Sequence, residues 1–397
     1  MSKPHLRRVC TVNPSKSEVA DLDAAVSFYP MESIAFGSPT VEGTRVAISD
    51  VYQGFTYFSD GDVLLAKITP SFENGKGALA VGLINGVGFG TTELHVLRPI
   101  SVDGRYLNWL VQSQDFRKAG AVEMRGAAGQ QRVPDRFVAE WRLPVPDEKT
   151  QRRIADFLDR ETGKIDSLVD SKRRLIDLLE EKAQTSIEHS ALQWELAGAG
   201  KEGWSVRKLK RVAHLRSGTN ITSDDIQDDG AYPVYGGNGL RGFTSTYTHS
   251  GSHVLIGRQG ALSGNINYVD GDFFASEHAV VATLLVDAPV TWLGETLRAL
   301  NLNQYSKAAA QPGLAVEVVG NLGIPVPPRE TRQRMAADFD RLAGLTATAT
   351  DRLTHQLDLL IEYRQALITA AVTGQLDEAT LSGHKPADEA LEMEVPS

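Results

Sequence analysis

The groups in this chain that can do chemistry are long hydrogen-bonding side chains set in glycine-rich turns. Lys67, Asn74, Lys76, Arg125, Gln130, Gln131 and Arg132 fall at a strand end, in an Asn-Gly turn and in the loop RGAAGQQR. Asn238, Arg241, Arg258, Gln259 and Gln311 fall in YGGNGLRG, HVLIGRQG and AAQP. Arg and Lys match the acceptor edge of guanine, and Asn and Gln match adenine, so these types on projecting loops suit the reading of a duplex groove. Singly, each is also what a solvated loop carries, and the glycines around Asn238 have a turn-forming use of their own. Lys67 and Arg258 are the better pair. Superposing the valines of DVLLAK and HVLIGR sets a cation at the same place twice.

Enzyme signatures are missing from the sequence. There is no G-x-x-x-x-G-K-[ST] phosphate loop, and no glycine-rich strand-to-helix turn with a following acid. Ser276, Glu277 and His278 are consecutive, so they cannot by themselves form a nucleophile–base relay. His253 and His278 read as strand or loop residues, and metal ligands lack clustered spacing. The single cysteine, Cys10, excludes a disulfide framework and suits a reducing cytoplasm. No cofactor or metal is expected.

The 397 residues are enough for two or three domains. The N-terminus has no apolar signal core, and no apolar run approaches the roughly 18 residues of a membrane span. The net charge of −9 argues at first against a polyanionic partner. Its distribution softens that: net 0 over residues 1–142, −3 over 143–200, −1 over 201–323 and −5 over 324–397. The acid excess sits on two helical stretches and the tail, so a local basic face elsewhere remains open.

Those two stretches are the elements that must position everything else. Residues 143–187 and 324–368 are copies of each other: shifted by 181 positions without a gap, 16 of 45 pairs are identical. A repeat of this period is read before any local feature. Each copy opens with Pro-Val-Pro, which favours extended backbone. Asp147 can cap the helix that follows, and Pro328 can sit in a first helical turn. An amphipathic run comes next, Ile154, Phe157 and Leu158 in one copy and Met335, Phe339 and Leu342 in the other. Gly163 and Gly344 then predict a kink or break. Beyond them run two apolar stripes: Ile165, Leu168, Val169, Leu175, Ile176, Leu179 and Ala183, and Leu353, Leu357, Leu360, Ile361, Leu367 and Ile368. Each stripe finds its most economical partner in the other, as a coiled coil. The alternating threonines of residues 345–350 are the weak point of the second helix.

Each helical copy follows a turn-rich block. In the first block, residues 51–58, 62–68 and 94–97 read as strands and 106–119 as one helix. The second block echoes it: Leu209-Lys210-Arg211-Val212 repeats Leu6-Arg7-Arg8-Val9, Ser276-Glu277 repeats Thr92-Glu93, and residues 292–309 stand for the 106–119 helix. The chain is therefore one module duplicated: residues 1–142, a helical region 143–200, residues 201–323, a helical region 324–376, and an acidic tail 377–397 expected to be disordered.

The chain resembles the specificity subunit of type I restriction–modification systems along nearly its whole length. The most specific part is the pair of PVP-x-x-x-T-x-x-R helices, with LDLLIEYRQALITAAVTGQL closing the second; VLLAK/VLIGRQG, YGGNG and SEHAVV follow. The resemblance implies an α+β fold with two β-rich target-recognition domains, separated by two long antiparallel helices that form a coiled-coil spacer with pseudo-twofold symmetry. It implies that each domain reads half of a bipartite site on double-stranded DNA. It implies two methyltransferase subunits docked on the helices, restriction subunits joined through the complex, and no catalysis in this chain. The residue types at the twelve turn positions above then become DNA-contact candidates. The partner-docking candidates are Arg173, Arg174, Glu181, Glu362 and Arg364 on outer helix faces, with the apolar end at Leu367 and Val372. A helix of about 40 residues spans about 60 Å, which would set the gap between half-sites. Two alternatives stay open: the recognition part of a related two-component restriction enzyme, and a coiled-coil scaffold whose β-rich modules bind protein or glycan. A hydrolase with an unrecognised site is disfavoured by the empty motif search.

Overall fold

A computed structural model of the chain describes residues 3–19, 24–34, 36–37, 43–127, 129–192, 203–260, 263–306 and 313–383. These divide into two compact units, residues 1–171 with 355–397, and residues 172–354. Each unit holds one β-rich block and one segment of each long helix.

Unit 1 carries β1 (Cys10–Val12), β2 (Ala25–Tyr29), β3 (Phe36–Gly37), β4 (Thr44–Ala47), β5 (Thr56–Ser59), β6 (Val63–Ala66), β7 (Gly77–Leu79), β8 (Val87–Gly90) and β9 (Leu94–Pro99). They form two sheets, ordered β1-β9-β6-β7-β3 and β4-β2-β8-β5. Its helices are α1 (Ile48–Val51), α2 (Gly104–Val111), α3 (Gln114–Val122) and α4 (Asp135–Glu140). Unit 2 carries β10 (Ser205–Lys208), β11 (Ala213–Ser217), β12 (Tyr232–Gly236), β13 (Gly239–Thr244), β14 (His249–Ser250), β15 (His253–Gly257), β16 (Ile266–Val269), β17 (Asp272–Ala275), β18 (Ala279–Leu284) and β19 (Gly323–Val326). Its sheets run β11-β18-β15-β16 and β13-β12-β17-β14, and β10 pairs with β19. The orders correspond except at the edges: β3 has no counterpart in unit 2, and the β10–β19 pair has none among the strands of unit 1. In both blocks the middle pair of the second sheet, β2 with β8 and β12 with β17, is parallel between antiparallel neighbours. β6 and β15 are buried at every residue, as continuous apolar runs require when both faces are covered.

The long helices are α5 (Glu148–Ala191) and, after α6 (Val290–Ala299) and α7 (Val316–Gly320), α8 (Arg329–Thr373). Both run unbroken through the expected break. At Gly163 and Gly344 nothing crowds the backbone, and the hydroxyl four residues on, Ser167 or Thr348, donates to the glycine carbonyl at 2.8 Å. The threonines at 346, 348 and 350 stay helical too. Asp147 caps α5 as expected: its carboxylate accepts from the Thr150 amide at 3.0 Å and hydroxyl at 2.9 Å. In unit 1 the Tyr106 hydroxyl lies 2.9 Å from the Pro144 carbonyl before α5 and 3.3 Å from Val372 in the last turn of α8. Arg364 meets Asp166 at 2.8 Å further along, so the two helices run antiparallel there. In unit 2, Ile187 and Ala191 pack with Phe339, Met335 and Leu342.

The buried row of α5 departs from the expected stripe. Thr162, Ile165, Val169, Ile176, Leu179 and Ala183 turn inward, at coiled-coil spacing, whereas Leu168 and Leu175 are exposed; on α8, Ile361 is exposed as well. The expected helix 106–119 is two. Ser113 adopts extended backbone, and its hydroxyl takes the Leu110 carbonyl at 2.7 Å, which ends α2. Likewise the helix expected over 292–309 stops at α6, where Asn301 turns left-handed with φ 45°; residues 307–309 lie outside the described residues. The strand expected over 51–58 begins only at Thr56, because Val51 ends α1 and Gly54 reverses the chain at φ 84°. The stretch expected as a disordered tail starts with α9 (Glu378–Leu381): Asp377 caps it at 2.8 Å from the Thr380 amide, Leu381 is buried, and Glu378 pairs with Arg153. Residues 384–397 lie outside the described residues.

Candidate nucleic-acid interface

Each block ends its fully buried central strand on a cation, and holds that cation by the same backbone bonds. After β6, the Lys67 amide donates to the Glu93 carbonyl at 2.9 Å, and its carbonyl accepts from Val133 at 2.9 Å. After β15, the Arg258 amide donates to the His278 carbonyl at 2.8 Å, and its carbonyl accepts from Leu314 at 2.8 Å. Val133 and Leu314 are 181 positions apart, the repeat shift itself. The next residues repeat the match, Ile68 bridging Arg132 and Gln259 bridging Gly313. One expected anchor slips. Strand register sets Ala66 opposite Leu94 and Gly257 opposite Ala279, so Glu93 corresponds to His278 rather than Glu277. The likeness of Thr92-Glu93 to Ser276-Glu277 is local.

In unit 1, backbone bonds gather the rim around Lys67. The turn bearing exposed Asn74 and half-buried Lys76 is tied to the end of β6 by the Ala66 amide on the Lys76 carbonyl at 3.0 Å. The loop of Arg125, Gln130, Gln131 and Arg132 closes on itself, Arg125 and Arg132 exchanging bonds of 3.0 and 2.8 Å. Gly126 is required there: φ is 134°, and a Cβ would stand 2.8 Å from the Gln130 carbonyl. The Gln131 carbonyl accepts from Thr69 at 2.9 Å. Arg132 is engaged rather than free, forking onto Glu93 at 2.8 and 2.7 Å. That fork holds the Glu93 carboxyl below the usual carboxylate range, with Lys67 adding to the effect. Beneath the rim lies His95, fully buried, its Nε2 2.9 Å from the Val133 carbonyl. Burial pushes its pKa down.

In unit 2 the β12–β13 turn packs on Arg258 and Gln259. A Cβ on Gly237 would lie 3.0 Å from the His278 carbonyl and 3.5 Å from that of Gln259, so close backbone approach requires glycine. Asn238 is exposed on this turn and Arg241 on β13; the Asn238 oxygen accepts from Asn265 at 3.4 Å. The Gln259 oxygen lies 2.9 Å from His278 Nδ1, and His278 Nε2 lies 3.1 Å from Glu277. Gln311 lies outside the described residues. The rims thus differ in kind: a lysine beside a carboxylate–guanidinium fork in one, an arginine beside a chain of amide, imidazole and carboxylate in the other.

Sequence reasoning missed Glu93, Glu277 and His278 as the groups that aim these side chains, because strand register, not local sequence, brings them there. It also missed a cleft of about 980 Å³ in unit 1, where five basic side chains, Arg125 among them, and the acids Asp115, Glu123 and Glu140 surround Phe137 and Trp141. Its walls come from separate segments with no common motif.

Of the expected partner-docking residues, Arg173, Arg174, Glu181 and Glu362 lie exposed on the long helices. Arg364, Leu367 and Val372 do not offer an outer face. Arg364 is buried against Asp166, and Leu367 and Val372 are buried within unit 1, because α2 and α3 claim that end of α8. Exposed leucines stand elsewhere: Leu178 at 59% and Leu359 at 50% exposure occupy the same repeat position. No group of three potential metal ligands occurs among the described residues, and no described helix is long and apolar enough to cross a membrane.

Residues 201–358 match the family model described as the type I restriction modification DNA specificity domain. The EcoprrI type I restriction enzyme specificity subunit of Escherichia coli is 40% identical over 149 residues, 36% of this chain and 37% of that protein. The EcoAI specificity subunit of Escherichia coli is 39% identical over 210 residues, 51% and 33% of the two. The chain spans 37% of the first of these curated relatives and 33% of the second. A solved chain from work on complex assembly and conformational transition of the type I R-M system shares the fold at TM-score 0.77 and 18% identity, covering 94% of this chain and 97% of that one. The HsdS subunit from Thermoanaerobacter tengcongensis does so at TM-score 0.54 and 19% identity, covering 94% and 96%.

Proposed function

We propose that this chain is a specificity subunit of a type I restriction–modification system and that it reads a bipartite target on double-stranded DNA, one half-site with each β-rich block. Residues 1–142 and 201–323 serve as the recognition domains, and residues 143–200 and 324–376 as the helical spacer regions. Lys67 and Arg258 head the two reading rims, with Asn74, Lys76, Arg125, Gln130, Gln131 and Arg132 beside the first and Asn238, Arg241, Gln259 and Gln311 beside the second. Two methyltransferase subunits dock on the helices, and restriction subunits join through them, in the cytoplasm. This chain supplies no catalysis. The observation that carries the reading is the cation pinned by the same backbone bonds in two blocks whose surroundings differ. Two readers of different sequence on one scaffold need that arrangement.

Docking is supported at Leu178 and Leu359, with Arg173, Arg174, Glu181 and Glu362 nearby on the helix faces; exposed leucines at one repeat position suit two copies of one partner. The test is methylome sequencing of a host carrying this protein with its methyltransferase. One split motif is expected. Exchanging residues 201–323 for another such block should change one half of it; a change in both halves, or in neither, would sink the reading.

A further inference from the structure

The start of α8 carries a charge that the start of α5 lacks. Arg332, in the first turn of α8, is only 9% exposed. Its Nε has no acceptor, and its guanidinium makes no hydrogen bond or ion pair among the described residues. It stands 5.5 Å from the ring centre of Trp292, itself fully buried. A ring face is a weak partner for a cation withdrawn from water, and an uncompensated buried charge is costly. Two more arginines bear on it. Arg207 lies on β10, exposed along its whole length and in register with Ile324 of β19. Arg329 opens α8 and holds Asp287 at 2.5 Å. Burial lowers the pKa of Arg332; Arg207 lowers it further, Asp287 opposes, and Arg329 adds to the lowering.

The equivalent place in unit 1 is closed and neutral. Gln151, 181 positions before Arg332, is buried; its oxygen accepts from the Asp103 amide at 2.7 Å and its nitrogen donates to the Pro146 carbonyl at 2.8 Å. Glu148 stands where α8 has Arg329. One fold therefore accepts a satisfied glutamine there, whereas unit 2 has Arg332 at that place, Arg329 one turn earlier on Asp287, and Arg207 on the strand paired with β19. The first amides of α8 lack acceptors within the helix and carry its positive pole.

We infer that Arg207, Arg329 and Arg332, with the first turn of α8, form a binding site for one phosphate-type oxyanion. Arg332 supplies the buried donor, Arg207 the exposed jaw, and Arg329 a second charge that an arriving anion shares with Asp287. The phosphate comes either from a DNA backbone, in which case the inference rests on the DNA-reading proposal, or from a free phosphate.

Thermal unfolding of the full-length protein tests the site without DNA. Inorganic phosphate is titrated against chloride at constant ionic strength. Wild type should show a saturable rise in Tm, and Arg207→Gln and Arg332→Gln should lose it. In chloride, Arg332→Gln should melt no lower than wild type, since it removes a buried cation that has no hydrogen-bonded partner among the described residues. The absence of a phosphate-specific rise in wild type, or a rise that persists in Arg207→Gln, overturns the site; should Arg332→Gln fail to fold, Arg207→Gln, on an exposed strand, decides alone. A second arm separates the sources. If DNA supplies the phosphate, Arg207→Gln should weaken the assembled complex equally on target and non-target duplex and reduce the salt slope by about one. An unchanged slope beside a lost phosphate response assigns a free phosphate. Failure of the wild-type complex to bind duplex would sink the DNA reading while leaving the phosphate titration to judge the site.

Discussion

The two units are built to one plan, and they differ most where side chains end rather than where backbones run. β6 and β15, β9 and β18, the parallel pairs and the long helices correspond position by position. On that common frame Glu93 is matched by His278, Arg132 by Gly313, His95 by Val280 and Gln151 by Arg332. Backbone hydrogen bonds and buried apolar strands tolerate exchange of the groups that project beyond them. A scaffold of this sort lets the rim change without refolding.

The ends of the helix pair give the largest expected contrast. In unit 1 the last turns of α8 are sealed: Leu367 and Ile368 are fully buried, and Gln365 donates to the Gln112 carbonyl at 2.9 Å. In unit 2 the residue equivalent to Leu367 is Ser186, which lines an open groove of about 460 Å³ with Trp204, Met335 and Phe339. Leu367→Ala should therefore cost about 2–5 kcal/mol in urea unfolding. Ser186→Ala should stay within about 0.5 kcal/mol. Comparable losses for both would mean that the two helix ends are equally packed and the contrast is false.

A smaller effect should separate the two rims. Arg258→Ala should lower discrimination at one half-site by about 1–3 kcal/mol and leave the other half-site's preference unchanged, and Lys67→Ala should do the converse. Binding of the assembled complex to duplexes randomised in each half in turn measures both. A uniform loss across all sequences would reassign the side chain to a phosphate contact.

The repeat made the architecture legible before any coordinates, because apolar spacing and Pro-Val-Pro punctuation are local signals that survive duplication. The equivalence of Lys67 and Arg258 was legible for the same reason. What escaped depended on tertiary contacts. Gly163 and Gly344 look like helix breakers, yet nothing in the packing asks the helices to bend there, and Ser167 and Thr348 bond back to them. Leu367 and Val372 read as an apolar docking end because the sequence does not say that α2 and α3 already cover them. Leu168 and Ile361 fell into the predicted seam because a stripe of 3.6-residue period is broader than the row that two helices share. The groups that aim the rim, Glu93 and His278, come from strands distant in sequence.

The smallest predicted difference is a pH dependence confined to the Lys67 rim. His95 is fully buried on β9, opposite Leu65, and faces the Val133 carbonyl, the Asp135 carboxylate 3.4 Å from Nδ1, and the charge of Lys67. Burial lowers its pKa, the Val133 carbonyl and Asp135 oppose, and Lys67 adds to the lowering. As pH falls below the ordinary value of 6.5, the unfolded chain takes up a proton that folded His95 refuses. The unfolded state then binds more protons, so stability declines with falling pH until the folded pKa is passed, by about 1.4 kcal/mol for each unit of depression. Val280 occupies the equivalent place opposite Ile256 and cannot titrate. Unit 2 has its own lowered histidine, His249, but it is half-buried and sits on β14, away from the bonds that pin Arg258. Between pH 7.5 and 5.5, amide hydrogen exchange at Val133 should quicken relative to Leu314, and His95→Val should remove the difference. If both amides quicken alike, or His95→Val keeps the pH response, the effect does not originate at His95.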